Sequence, residues 1–78
     1  YNDDFKLVAD VMGDAVSDVD TFDLVQLAEV IRTCRYSSSL SAAGRTLFSV
    51  SRSKRKVQND ADRLRKYLGK FGLEWGSI

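Results

Sequence analysis

An all-α fold, a small helical bundle, is the class this sequence predicts, and three observations carry it. Apolar residues recur at spacings of three and four in several windows. No segment of strand length alternates apolar and polar residues. The 78 residues contain no proline, so nothing removes a backbone donor inside a helical run. At this length the chain forms one small domain with a limited core.

The first helix is predicted over residues 3–12, with Phe5, Val8, Val11 and Met12 on one face. Asp3 and Asp4 stand where carboxylates favour the positive end of a helix, and Gly13 can end it in a left-handed turn. Residues 14–20 are acidic and aperiodic and read as a linker.

A second helix is expected over about residues 22–36, capped by Asp20 or Thr21. Leu24, Leu27, Ala28, Ile31 and Cys34 form its apolar stripe, and Asp23, Gln26, Glu29 and Arg32 its other face. Three serines at 37–39 compete for backbone hydrogen bonds and break it. Ser39 or Ser41 then caps a short helix over about residues 40–48. Its Leu40, Ala43 and Leu47, with Phe48, turn to the core.

The last helix carries Ala61, Leu64, Leu68 and Phe71 on one stripe and is followed by Gly72 at a C′ position. Asn59 with Asp62 three residues on resembles a capping pair and favours a start near Asp60. Val57 extends the same stripe backwards, which leaves an earlier start near Ser53 as the alternative.

The net charge of +1 conceals a division. Residues 1–31 hold eight acids and one base, residues 32–78 eleven bases and three acids. A segregated basic half suits a polyanionic partner; the alternative is a solvated basic face. Cys34 is the single cysteine and there is no histidine, which excludes an internal disulfide and a Cys/His metal set. A reducing, cytoplasmic setting is expected. No signal segment or long apolar run points to a membrane. There is no acid–base or nucleophile–base pair, so no catalytic residue, cofactor or metal is assigned. The chain begins with Tyr1 and is expected to be a piece of a longer protein.

Ala42, Ala43 and Gly44 allow two helices to cross closely. That suits a helix-turn-helix, in which a second helix is offered to the DNA major groove; it also suits a tight core contact in a plain bundle. With Leu64, Leu68 and Phe71 inward, Arg63, Arg65, Lys66, Tyr67 and Lys70 lie outside or on the flanks. Arginine can pair with guanine, and both arginine and lysine neutralise phosphates. Ahead of that helix, Arg52, Ser53, Lys54, Arg55 and Lys56 form a cluster suited to phosphates, which positions a protein without reading sequence. Asp60 and Asp62 either cap the helix or accept from cytosine N4. Cys34 reads as a small core residue rather than a redox centre, and Trp75 as a cover for the core end or a stacking platform. Tyr36 and Tyr67 could reach phosphates or close the apolar face.

The run "SAAGRTLFSVSR" followed by "LRKYLGKFGL" resembles the Fis-type helix-turn-helix that closes NtrC-like, sigma-54-dependent activators. Small residues in the first helix, a turn ending in Ser-Arg and a basic helix ending in aromatic-Gly-aliphatic carry the likeness. It is closer still to the RtcR family, activators of a bacterial RNA-repair operon. "QLAEVIRTCR", "SLSAAGRTLFSVSR" and "NDADRLRKYLGKFGLEW" carry it, within residues 22–75. One departure stands out: eleven residues, 53–63, separate Arg52 from Leu64, against a couple in the ordinary Fis-type turn.

The resemblance implies a DNA-binding domain over residues 20–78, preceded by an extra N-terminal helix and linker over residues 1–19, the latter expected to be the end of an ATPase lid. It implies double-stranded DNA as partner, and contact with sigma-54 RNA polymerase through an AAA+ ATPase. No G-x-x-x-x-G-K-[ST] occurs here, so that ATPase would lie outside this chain. It also implies a homodimer, part of a larger oligomer in the parent protein, so that two recognition helices reach successive major grooves about 34 Å apart. Leu24, Leu27, Ile31 and Cys34 are the expected dimerisation residues.

Overall fold

A computed structural model describes residues 2–54 and 59–78. The described chain is all-α. Its helices are α1 (Asn2–Met12), α2 (Thr21–Tyr36), α3 (Leu40–Leu47), α4 (Ser49–Arg52) and α5 (Asp60–Gly69). Short 3-10 helices span Gly13–Asp18 and Trp75–Ser77. No helix among the described residues is long and apolar enough to cross a membrane. Two compact units are present, residues 1–32 and residues 33–78. The boundary expected after residue 19 falls inside the first of them.

In the first unit, Asp3 and Asp4 occupy the first turn of α1, and Gly13 follows at φ +62°. Only glycine adopts that left-handed conformation without cost, so the helix stops where the sequence says it should. The apolar face is narrower than its periodicity suggests. Val8 is fully buried, whereas Phe5, on the same predicted face, is 45% exposed. The acidic stretch that reads as a linker is a 3-10 helix with Val16 buried and Val19 N–H donating to Val16 O at 3.1 Å. Its three-residue turns and single anchor give no helical period to detect. The Asp20 carbonyl accepts the first bond of α2, from Leu24 N–H at 2.9 Å. Leu24, Leu27, Ala28 and Ile31 are buried along α2. Arg32 of α2 bonds Asp4 of α1 and, at 3.1 Å, Glu29 of its own helix. The Asp4 hydrogen bond, and then the Glu29 one, raise the Arg32 pKa above its already high ordinary value, so the guanidinium keeps its charge.

In the second unit, α2 ends at Tyr36, where Ser37 turns its hydroxyl back to Thr33 O at 2.7 Å. Ser39 caps α3: its Oγ accepts from Ala42 N–H at 3.1 Å. Cys34, Ala43, Leu64 and Leu68 are the buried apolar residues of this unit. Leu40, Leu47, Phe48, Ala61 and Phe71 border them, half-buried. Helix α5 closes with paired bonds, Leu73 N–H to Leu68 O at 3.0 Å and Gly72 N–H to Gly69 O at 3.1 Å. Gly72 is at φ +70° between them, the C-terminal motif that the leucine stripe followed by Gly72 announces.

Candidate nucleic-acid interface

The second unit places α3 and α5 against each other at one point of very close approach. A Cβ built on Gly44 would lie 2.8 Å from the carbonyl oxygen of Asp60 and 2.9 Å from its carbonyl carbon. No real side chain fits there, so the small residues of α3 serve a helix–helix contact, as their sequence suggests. The contact falls on the first residue of α5, and Asp60 is buried at 6% exposure. It seats the start of α5 on α3 and leaves the later residues of α5 to present their outer face.

That outer face is basic. Arg65, Lys66 and Lys70 are exposed. Asp62 lies among them, half-buried. Its Oδ1 accepts from Arg65 Nη1 at 3.0 Å, and its Oδ2 pairs with Lys66 Nζ at 3.1 Å. Asn59 is the N-cap residue but makes no side-chain cap bond. The carboxylate that the sequence offered to an Asn59–Asp62 capping pair is thus engaged by two charge pairs one helical turn away. Cations at i+3 and i+4 compete well for a carboxylate whose alternative is a strained reach back over its own N-terminus. The start of the helix near Asp60 is nonetheless the one Asn59 favours over Ser53.

Arg63 is placed differently from its neighbours. Its guanidinium lies 4.0 Å from the centre of the Phe48 ring, and its Nη1 donates to Ser51 Oγ at 2.9 Å. It bridges α5 to the end of α3 and to α4. Tyr67 is half-buried and meets the Phe71 ring edge-on at 5.4 Å, and Lys70 Nζ sits 5.5 Å from the Tyr67 ring. Such a lysine covers aromatic surface while its ammonium stays in water. Helix α4 is itself an addition to the sequence reading, which continues "SVSR" as a turn. Arg52 closes it, and Ser53 and Lys54 follow exposed in a turn, with Ser53 Oγ donating to Val50 O at 2.7 Å. Arg55, Lys56 and Val57 lie outside the described residues.

Sequence reasoning missed Arg45. It is exposed in the last turn of α3 and lines, with Ser41, Asn59, Asp62 and Arg65, a cleft between α3 and the start of α5. The available signal was its position opposite Ala43 and Leu47 on a short amphipathic helix. The residues expected at a dimer face, Leu24, Leu27, Ile31 and Cys34, are buried within the chain at 0–3% exposure. The large apolar side chains that α2 exposes are Phe22, Val25 and Tyr36. Burial raises the Cys34 thiol pKa, which keeps it protonated and unreactive. Trp75 is half-buried and borders a hollow beside Leu40 and Leu68, consistent with a cover for the end of the core.

A basic helix presented from a tight helix–helix seat has the construction of a DNA-binding domain. The model of the RtcR C-terminal DNA-binding domain family matches residues 2–78, and the chain belongs to that family. It is also 53% identical over 68 residues to the transcriptional regulatory protein RtcR of Escherichia coli (strain K12). The matched part is 87% of this chain and 13% of that relative, so the chain spans a small fraction of the regulator's length. No solved structure matches. The chain is thus the DNA-binding domain of a transcriptional regulator, a part that is not itself catalytic.

Proposed function

We propose that this domain binds specific duplex sites for a sigma-54-dependent activator of an RNA-repair operon, using α3 and α5 as a Fis-type helix-turn-helix. The approach of Gly44 to Asp60 supports the reading, because it sets α5 close against α3 while Arg65, Lys66 and Lys70 stay exposed. Arg65, Lys66 and Lys70 face the duplex, with Tyr67 on the flank. Arg52, Ser53, Lys54, Arg55 and Lys56 meet phosphates. Arg63, held by Phe48 and Ser51, fixes α5 to the segment that precedes it and reaches bases only by leaving both contacts. Residues 1–19 lead in from an AAA+ ATPase that contacts sigma-54 RNA polymerase in the cytoplasm. Two copies pair through α2. Its buried row of Leu24, Leu27, Ile31 and Cys34 stiffens the helix, and exposed Phe22 and Val25 offer the pairing surface.

Titration with duplexes at several salt concentrations tests the reading. A duplex enriched by the chain from a random library should bind far more tightly than an unselected one. Its log K should fall steeply with log salt, and Lys54→Ala should weaken both alike. Equal, weak binding to every duplex would refute the specific reading and leave a helical protein-interaction module as the alternative. That second reading is favoured by one observation, the acidic first unit, whose eight acids suit a basic partner surface.

A further inference from the structure

We infer that Asp62 is a specificity-determining residue that restrains the basic face of α5 against non-specific DNA. The inference rests on the reading of α5 as the recognition helix. Asp62 is a carboxylate in the first turn of a helix whose exposed charges are otherwise cationic, and both its oxygens are engaged. Oδ1 holds Arg65 and Oδ2 holds Lys66. Those two cations are 63% and 78% exposed, so the three side chains form one surface cluster of net charge +1. The same carboxylate lines the cleft that Arg45 enters from α3.

A phosphate that draws Arg65 and Lys66 toward itself loosens their pairs with Asp62 and is itself repelled by the carboxylate, even though each cation has further N–H donors to offer. An arbitrary duplex returns only the phosphate contacts, so it is penalised in full. A site that places an exocyclic amine of cytosine or adenine opposite Asp62 gives the freed carboxylate a donor and restores its hydrogen bonds. Asp62 thus lowers the affinity for all DNA and is compensated only at the right sequence. The pairs also hold the arginine and lysine in defined geometries before contact. Each is weak in water, as exposed ion pairs are, so the effect is a modest factor rather than an on–off switch.

The isosteric variant Asp62→Asn in the 78-residue chain tests this, with Asp62→Glu as the charge-retaining control. On an unselected duplex, Asp62→Asn should bind about three- to tenfold more tightly, with a salt slope steeper by on the order of one unit. On the duplex that the unaltered chain enriches from a random library, the gain should be smaller, so the ratio of the two affinities falls. Asp62→Glu should leave that ratio near its original value. Unchanged affinity and slope on the unselected duplex would overturn the inference, as would an unchanged ratio. Arg65→Ala and Lys66→Ala separate the two levels of the argument. If both weaken binding while Asp62→Asn does nothing, the inference about Asp62 fails and the recognition helix stands. If neither has any effect, the recognition helix itself is wrong, and the inference falls with it.

Discussion

The guanidinium of Arg63 lies flat enough over Phe48 to sit 4.0 Å from the ring centre, although fifteen positions separate the two residues in the chain. The same group donates to Ser51 Oγ at 2.9 Å. An arginine in the first half of α5 is thus occupied by the protein, and it ties that helix to α4 and the end of α3. Removing it should loosen this junction. Arg63→Ala should lower stability by about 1–2 kcal/mol, from a cation–π contact and one charge-assisted hydrogen bond. Arg63→Lys should recover part of the loss, since the ammonium can face the ring but cannot also reach Ser51 as a planar fork. Urea unfolding followed by far-UV circular dichroism reads both. DNA binding should weaken by a similar factor on selected and unselected duplexes if Arg63 only positions α5.

Gly44 and Gly69 should respond in opposite directions to the same change. Gly44→Ala drives a methyl into the Asp60 backbone and should destabilise by about 1–3 kcal/mol. Gly69 lies near the end of α5, and a methyl added there would meet nothing within 4 Å, so Gly69→Ala should stabilise by about 0.5–1 kcal/mol. Thermal melts of the two variants side by side decide it.

Phe22 is 79% exposed and Val25 51% exposed on α2. If they pair two copies, the double change Phe22→Ser, Val25→Ser should raise the dimer dissociation constant at least roughly tenfold, since burying one such side chain is worth about 1.5–3 kcal/mol. Sedimentation equilibrium measures this without touching the core. An original chain that remains monomeric at high micromolar concentration would end the dimer reading.

Cys34 should be silent to alkylating reagents until the domain unfolds, because burial holds the thiol above its ordinary value of 9.0. A raised folded-state pKa gives stability that is fully present below pH 9 and is lost as pH rises through the folded value. Urea midpoints from pH 8 upward should therefore fall less steeply in Cys34→Ala than in the original chain, whatever the packing loss at a single pH.

Much of the fold was legible because its signals are local. Ser39 caps α3 through the hydrogen bond its position implies, Gly13 and Gly72 terminate α1 and α5 in left-handed turns, and the leucines of α5 are buried at helical spacing. The 3-10 helix around Val16 was not legible, since one buried side chain makes no pattern. The exposure of Phe5 was not legible either, because periodicity identifies a face but not its width. At the interface, Arg65, Lys66 and Lys70 stand exposed as their offsets from Leu64 and Leu68 require. The engagement of Arg63 was hidden, because it depends on Phe48 and Ser51, distant in sequence and joined to it only by the fold. The ion pairs of Asp62 were hidden for a related reason: capping and ion pairing draw on the same carboxylate, and only geometry shows it against Arg65 and Lys66.

The contact between Gly44 and Asp60 also bears on how this domain can change over evolutionary time. Because backbone meets backbone there, the register of α5 on α3 is set by the contact itself and not by the chain that joins them. A change of chain length between α4 and α5 should therefore leave that register in place, provided Phe48 and Ser51 still meet Arg63. A contact that needs one glycine thus separates the seating of α5 from the length of chain that leads to it, and insertions ahead of Asp60 should cost this domain less than any change at Gly44.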